Sequence, residues 1–158
     1  MENQTLEGYL RAHPFLEGLA EEYIALLAGC ARNARFDAGT PIVRLGAEAS
    51  EFILIRHGSV AIETPLKQGG SVVIQNLSEG DVLGWSWLFP PYQWRFDAHA
   101  TSVTRTLALD ATCLRRKCES DARFGYDLLK RFAAVMTQRL EAARRQLIEL
   151  HDHQERAG

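Results

Sequence analysis

Residues 36–62 read FDAGTPIVRLGAEASEFILIRHGSVAI, and residues 77–84 read LSEGDVLG. Short apolar runs alternate with glycines in both segments, and similar runs bounded by Gly, Pro, Ser or Asp continue to residue 110. Seven or eight strands at intervals of about eight to twelve residues are typical of a β-sandwich or barrel. Glycine takes positive φ at tight turns without steric cost. The predicted strand boundaries carry such glycines, namely Gly39, Gly46, Gly58 and Gly80.

Alternation along these runs predicts which side chains face the interior of the β-structure. The predicted interior set is Phe36, Ile53, Ile55, Val60, Ile62, Val73 and Leu83. The stretch KQGG, residues 67–70, carries adjacent glycines between two apolar runs and predicts the tip of a hairpin.

Helical patterns flank the predicted strands. Apolar residues recur at helical spacings over residues 5–31, and Pro14 opens a second helix within that range. After Asp110, a predicted N-cap, a short helix begins, and Ser120 or Asp121 opens a long final helix. We expect one structural domain with a helical lead-in over 1–34, a β-roll over 35–110 and two helices over 111–158.

The last helix carries an apolar seam that steps by 4, 3, 4, 3, 4 and 3 residues. Its members are Leu129, Ala133, Met136, Leu140, Ala143, Leu147 and Leu150. Three consecutive heptads with charged residues off the seam are typical of a two-stranded coiled coil and predict a homodimer. The alternative is that the stripe packs on the chain's own β-domain, although a core-facing helix usually shows a wider stripe.

Composition narrows the function classes. Charged residues make up 24% of the chain and the net charge is −2, which disfavours coating of nucleic acid or an anionic membrane through bulk electrostatics. The N-terminus has early acids and no signal-peptide core, and no apolar run approaches the roughly 20 residues of a membrane span. We therefore expect a cytoplasmic protein with no membrane partner. Three cysteines in such a chain predict reduced thiols rather than a disulfide framework.

The spacing of glycines and apolar residues over 36–62 and 77–84 resembles the cyclic-nucleotide-binding domain of the catabolite-activator and protein-kinase-regulatory families. The resemblance covers about residues 5–150. It implies an α+β fold, in which a β-roll of jelly-roll type is flanked by N-terminal helices and a long C-terminal helix. In the bacterial regulators that helix is the dimer axis.

The chain departs from this family at the cassette that holds the nucleotide phosphate. All three tryptophans lie in residues 85–94, and six of the fourteen aromatic residues fall within twelve positions. The family cassette begins with Gly and Glu and ends with Arg; a gapless alignment from Gly84 places Trp85 at the Glu position and Trp94 at the Arg position. Arg95 comes one residue late, and a one-residue shift on a strand turns a side chain to the other face.

These replacements predict weak or absent cyclic nucleotide binding, because a charge-assisted hydrogen bond contributes about 1.5 to 3 kcal/mol. The predicted pocket comprises Gly84, Trp85, Ser86, Trp87, Leu88, Trp94, Arg95 and Phe96. Either the rings fill this recess themselves, or a flat and mostly uncharged ligand stacks between them. We expect no cofactor unless a cyclic nucleotide or another flat small molecule binds here.

We therefore expect a ligand-sensing or protein-interaction module, with no enzymatic activity, that signals through an effector protein. One alternative is a true cyclic AMP or cyclic GMP receptor that uses Arg95 and the backbone of residues 86–88. A second is a fragment of a transcriptional regulator that lacks its helix-turn-helix, since residues 1–158 leave no room for one and direct DNA binding is not expected. Four of the histidines, His57, His99, His151 and His153, lack metal-ligand spacing, so no metal is expected.

Overall fold

The computed structural model describes residues 5–157 and has the predicted α+β architecture, with two antiparallel sheets, N-terminal helices and a long C-terminal helix. The helices are α1 (Leu6–Ala12), α2 (Glu21–Ala28), α3 (Ala111–Ser120) and α4 (Ala122–Ala157), and a 3₁₀ turn covers Pro14–Leu16. The strands are β1 (Ala31–Phe36), β2 (Pro41–Val43), β3 (Glu51–His57), β4 (Ser59–Pro65), β5 (Ser71–Ser78), β6 (Val82–Leu83), β7 (Asp97–Ala100) and β8 (Thr104–Asp110).

The strands form two four-stranded sheets, in the orders β1-β8-β3-β6 and β2-β7-β4-β5. Consecutive strands often lie in different sheets, so the chain winds around a shared interior as a β-roll. The predicted hairpin tip is confirmed between β4 and β5, where Leu66 N–H donates to Gly70 O at 3.0 Å and both Gly69 and Gly70 have positive φ.

The interior follows the predicted alternation with one exception. Ile53, Ile55, Val60, Ile62 and Leu83 are buried and Phe36 is half-buried, but Val73 is 47% exposed. The prediction for Val73 was wrong because β5 is an edge strand, and the half of it next to the hairpin tip extends beyond the roll.

Strand β3 is buried on both faces because helices cover the outer face of its sheet. Phe52 and Leu54 are buried as fully as Ile53 and Ile55. The Phe52 ring contacts Phe132 of α4 at 4.7 Å between centroids and Phe15 of the 3₁₀ turn at 5.5 Å. The first part of α4 therefore packs on the roll through aromatic contacts.

The helix boundaries agree with the predicted caps. Asp110 accepts from Cys113 N–H at 2.8 Å and caps α3, and Asp121 accepts from Phe124 N–H at 3.1 Å and caps α4. The prediction that Pro14 starts the second helix was wrong: Pro14 opens a three-residue 3₁₀ turn, and α2 begins at Glu21. At the other end, the helical lead-in stops at Ala28 rather than at residue 31, because residues from Ala31 onward pair with β8.

The expectation of reduced thiols was wrong for two of the three cysteines. Cys30 and Cys113 form a disulfide with their Cα atoms 5.8 Å apart, and Cys118 is free. The two partners are 83 residues apart in sequence, but the pairing of Ala31 with Leu109 brings the start of β1 to the end of β8. This proximity depends on strand topology, which cysteine counting does not reveal.

Within residues 5–157, no helix combines the length and the apolar character that crossing a membrane requires.

Candidate functional site

The site is built on the segment that follows β6, residues 84–96, which we call the aromatic segment. Gly84 has φ of +89° and leads into two turns, in which Leu88 N–H donates to Trp85 O at 3.0 Å and Tyr92 N–H to Phe89 O at 2.9 Å. No helical turn forms between β6 and β7, so this segment offers no helix N-terminus to an anion.

Trp94 has its backbone fixed by the loop between β2 and β3. Its N–H donates to Ala47 O at 2.9 Å, and its carbonyl accepts from Gly46 N–H at 2.8 Å. This pairing directs the indole into the roll, where only 5% of the residue is exposed. The ring covers the Cα of Gly84 so closely that a Cβ there would lie 2.0 Å from Cζ3 and 2.4 Å from Cη2.

Arg95 points in the opposite direction from its two neighbours. Trp94 and Phe96 are buried, whereas Arg95 is exposed, as the period of two along an extended chain requires. The two buried rings contact each other with centroids 5.8 Å apart. The predicted one-residue displacement of Arg95 from the pocket therefore agrees with its placement.

The remaining predicted pocket residues divide between two places. Trp85 is half-buried, and its ring lies 6.5 Å from that of Phe96, so it joins Gly84, Trp94 and Phe96 in one cluster. Trp87 is fully buried elsewhere: it stacks on Phe52 at 5.5 Å and contacts Phe132 at 5.6 Å, in the layer between the roll and α4. Ser86 is buried and Leu88 half-buried between these positions.

Helix α3 contacts the aromatic segment through one side chain that sequence reasoning missed. Arg115 donates to Trp87 O, and its guanidinium covers the Tyr92 ring at 4.2 Å. The sequence offered only a basic run, Arg115–Arg116–Lys117, which is usually a solvated face. A usable signal was the apolar pair Ala111 and Leu114, which marks the inward face of α3 beside Arg115.

Helix α4 reaches the same segment through Arg139. Its guanidinium donates to Val82 O and lies 5.5 Å from the Trp85 ring centroid. Burial lowers the pKa of this guanidinium, and the nearby Asp81 carboxylate acts in the opposite direction. Nη1 of Arg139 is buried without a hydrogen-bond partner, so the protein holds a poorly solvated cation next to the cluster.

The predicted seam is exposed on α4 beside this cluster. An apolar groove of about 670 Å³ is lined by Trp85, Phe89 and the four seam residues Leu129, Ala133, Met136 and Leu140, together with Thr137 and Arg139. Phe89 is 52% exposed at its edge. The remaining seam residues, Ala143, Leu147 and Leu150, are exposed farther along α4.

The histidines do not come together. His99 Nδ1 lies 3.0 Å from Glu63 Oε1, and His151 Nε2 lies 3.2 Å from Glu155 Oε1 on the last turns of α4. Over residues 5–157, no three His, Cys, Asp or Glu side chains form a group that could hold a metal ion.

Comparison with known proteins identifies the family to which this fold corresponds. Residues 34–121 match the family described as "Cyclic nucleotide-binding domain". The cGMP-dependent protein kinase, isozyme 1, of Drosophila melanogaster is 33% identical over 78 residues, which are 48% of this chain and 10% of the kinase. This chain thus corresponds to a small part of that relative.

Two solved structures show the same fold. A protein from Geobacter metallireducens superposes with a TM-score of 0.75 at 24% identity, over 89% of this chain and 99% of that one. The regulatory subunit of a cAMP-independent protein kinase A from Trypanosoma brucei superposes with a TM-score of 0.68 at 24% identity, over 88% of this chain and 49% of that one. A triple mutant of that subunit, bound to cAMP in its A site, superposes equally well.

The family match runs from within β1 through α3 and includes the glycine-framed strands and the aromatic segment. The chain therefore belongs to the cyclic nucleotide-binding domain family.

Proposed function

We propose that this chain is a regulatory module of the cyclic nucleotide-binding domain type that does not bind cyclic nucleotides and acts instead by association. In this proposal the aromatic segment occupies the ligand position, two copies pair through α4, and an effector protein reads the paired helices. The module works by binding rather than by catalysis.

One observation carries the first half of the proposal. The Trp94 ring lies over Gly84 at a separation that leaves no room even for a methyl group. By the resemblance, Gly84 and the position of Trp94 are where the family holds the nucleotide phosphate between backbone and arginine. A phosphate placed there would meet an indole where the family has an arginine, and an anion that loses a charged partner is costly to bury.

Arg95 gives little support to the alternative of a true nucleotide receptor. Its side chain is exposed on the side opposite to Trp94 and Phe96. To reach the phosphate position it would have to exchange places with a buried tryptophan, at the loss of the contacts with Gly84 and Phe96.

The trypanosome neighbour supports the idea that this fold can work without cAMP. That protein is described as cAMP-independent, and one of the three changes in its cAMP-bound mutant introduces an arginine. The same logic suggests a restoration experiment here. Trp85→Glu with Trp94→Arg places both family side chains back at the aligned positions.

Isothermal titration calorimetry with cyclic AMP and cyclic GMP tests this half. We expect wild-type protein to bind neither nucleotide with a Kd below about 1 mM. The double variant Trp85→Glu/Trp94→Arg is expected to gain at least about tenfold in affinity, because one charge-assisted hydrogen bond alone contributes about 1.5 to 3 kcal/mol. Micromolar binding by the wild type that Arg95→Ala abolishes would instead establish the nucleotide-receptor alternative.

The second half of the proposal rests on the unpartnered length of α4. This helix has 36 residues, and its buried residues are Phe124, Leu128 and Phe132, all near its start. Beyond them, α4 reaches the roll through the half-buried Val135 and through Arg139, which donates to Val82 O, and residues 143–157 are all exposed. Isolated helices are marginal in water. A partner that covers the seam would supply the packing that this part of α4 lacks.

A second copy of this chain is the occupant that the seam favours. Its exposed leucines, Leu129, Leu140, Leu147 and Leu150, recur in register with the heptad over three heptads, about six helical turns, and this pattern complements itself. The groove of about 670 Å³ extends the seam to Trp85 and Phe89, so a paired helix would also contact the aromatic segment.

Analytical ultracentrifugation tests the dimer. We expect wild-type chains to sediment as dimers at micromolar concentration and Leu140→Glu to sediment as a monomer, since a charge on the seam would be buried unpaired. Arg145→Glu is the matched control, because it changes charge at an exposed position on the outer face of the heptad. A monomeric wild type, or equal dissociation by both variants, would remove the dimer from the proposal.

A further inference from the structure

The disulfide joins α3 to the start of β1, and α3 in turn contacts the aromatic segment. Cys113 lies in the first turn of α3, two residues before Arg115. Arg115 holds the aromatic segment at two points, the Trp87 carbonyl and the Tyr92 ring. A chain of direct contacts therefore runs from Cys30 through α3 to the aromatic segment.

Helix α3 also meets α4 on its other side. A Cβ added at Gly125 of α4 would lie 3.0 Å from Cys118 O and 3.3 Å from Cys118 Cβ, so the two helices approach closely there. Loosening the first turn of α3 would thus act on both the aromatic segment and the beginning of α4.

We propose that Cys30 and Cys113 form a reversible thiol–disulfide site that controls the order of the aromatic segment through Arg115. The reaction partner is a dithiol. The inference does not depend on the absence of cyclic nucleotide binding, because it concerns what holds the segment and not what fills the pocket.

The burial of the two sulfur-bearing residues suggests the direction of attack. Cys30 is buried, whereas Cys113 is half-buried. A thiolate of the dithiol attacks Sγ of Cys113 and forms a mixed disulfide; the electron pair of the broken S–S bond goes to Sγ of Cys30, which then takes a proton from solvent. The second thiolate of the dithiol attacks the dithiol's first sulfur in the mixed disulfide and releases Cys113 as a thiolate, which takes a proton from solvent. Two cysteines are reduced, and the dithiol leaves as a cyclic disulfide.

Lys117 lies close to the backbone around the disulfide. Its Nζ would be 3.2 Å from a Cβ on Gly29, the residue before Cys30, and Lys117 follows Cys113 by one turn of α3. An ammonium in this region favours a thiolate on either cysteine.

The third cysteine does not compete for this role. Cys118 is half-buried, and burial raises the pKa of its thiol, with the nearby Glu119 carboxylate acting in the same direction. A raised pKa leaves little thiolate at neutral pH, and only the thiolate is a good nucleophile. Exchange between Cys118 and the disulfide should therefore be slow.

The natural reporter is tryptophan emission, since all three tryptophans lie in the aromatic segment. Air-oxidised protein is titrated with dithiothreitol, free thiols are counted by mass spectrometry after alkylation, and acrylamide quenching of emission is followed in parallel. We expect one free thiol before reduction and three after it. Quenching and a red shift should rise with the loss of the disulfide, while far-UV circular dichroism stays unchanged.

Variants separate the steps of this chain of contacts. Cys118→Ser should respond as the wild type does. Cys30→Ser/Cys113→Ser should show, at every dithiothreitol concentration, the emission spectrum of fully reduced wild-type protein. Arg115→Ala should lose most of the difference in emission between oxidised and reduced protein while its thiols still titrate. Arg116→Ala, an exposed neighbour on α3, is the matched control and should keep that difference.

Three results would overturn the proposal. The first is air-purified protein with three free thiols. The second is full reduction of wild-type protein without a change in emission or quenching, a measurement that needs no variant to fold. The third is an Arg115→Ala protein that responds to reduction as strongly as the wild type.

Discussion

The two parts of α4 share one apolar pattern but have different surroundings. The proximal part, residues 122–132, buries Phe124, Leu128 and Phe132 against the roll and the N-terminal helices. In the distal part, residues 133–157, no residue is buried, and Leu147 is 66% exposed. At 1.5 Å per residue, the whole helix spans about 54 Å. The distal part reaches the roll through Arg139, which donates to Val82 O, and residues 143–157 are all exposed.

This difference shows that the heptad seam and the core-facing stripe are separate rows on one helix. The buried row of the proximal part is Phe124, Leu128 and Phe132, whereas the seam begins at Leu129 and stays outside. The alternative interpretation, in which the seam itself packs on the chain's own roll, is wrong for the exposed seam residues, and the homodimer stays a prediction. Substitutions in the two parts should therefore lower the free energy of unfolding by different amounts.

The largest difference is expected for apolar side chains. Phe132→Ala should lower the free energy of unfolding by about 3 to 5 kcal/mol, because it empties a site that four aromatic rings share. Leu147→Ala should change it by less than about 0.5 kcal/mol in a Leu140→Glu background, where pairing of chains does not contribute. Urea unfolding measures both, and equal costs would show that the distal part also packs on the roll.

The second-largest effect on stability is expected for the disulfide. Reduction, or the change Cys30→Ser/Cys113→Ser, is expected to lower the free energy of unfolding by about 2 to 4 kcal/mol, since the bond closes a long loop in the unfolded chain. Chemical denaturation with and without reductant measures this loss. The Cys118→Ser protein should show the same loss of stability on reduction as the wild type. If reduction destabilised only the Cys118→Ser protein, the effect would not come from the bond between Cys30 and Cys113.

A smaller difference between the proximal and distal parts is expected for substitutions of arginine. Arg131 Nη1 donates to Phe15 O at 2.9 Å and Glu17 O at 2.8 Å, and Nε contacts Asp127 at 2.7 Å. Lysine cannot reproduce this planar arrangement, so Arg131→Lys should cost about 1 to 2 kcal/mol. Arg144→Lys, the same change in the distal part, should stay within about 0.5 kcal/mol in thermal or urea unfolding.

The pH dependence of stability should report on the same proximal contacts. His13 Nε2 donates to Ile55 O at 2.9 Å, and Nδ1 accepts from Phe15 N–H at 3.2 Å, so the imidazole is held neutral. Burial lowers the pKa of His13 below its usual value, against a smaller opposing effect of the Ile55 hydrogen bond. The unfolded chain therefore binds this proton more tightly than the folded one does.

The resulting stability is fully present above the unfolded pKa near 6.5 and is lost as pH falls through it towards the lower folded pKa. One proton limits the slope to about 1.4 kcal/mol per pH unit. Urea midpoints measured between pH 7 and pH 5 should fall for the wild type. The His13→Gln protein should lose most of this slope, and an unchanged slope would assign it to other groups.

Much of the fold could be predicted from local sequence signals. Gly58 has φ of +102° in the turn between β3 and β4, a conformation that favours glycine whatever the surroundings. Asp110 and Asp121 cap α3 and α4 because a carboxylate beside free N–H groups is favourable in almost any context. Such signals depend on nearest neighbours, and neighbours along the chain are visible in sequence.

The features that escaped prediction depend on contacts between distant segments. Cys30 meets Cys113 only because β1 pairs with β8. The exposure of Val73 follows from the position of β5 at a sheet edge, and the contacts of Arg115 follow from the place where α3 docks. The crowding of aromatic residues over 85–96 was visible in sequence, but the placement of Trp94 over Gly84 and of Trp87 in a different layer was not.

The contact between Gly84 and Trp94 couples the two positions. Any larger residue at 84 would collide with the indole, and any smaller residue at 94 would leave a void above the glycine. A glycine that suits the approach of a phosphate thus also suits the approach of a ring, and it would be retained under either use. Its presence at this point of the fold is therefore no evidence for a nucleotide ligand, and under the proposed function a gain of nucleotide binding would require position 94 to change before position 84 could matter.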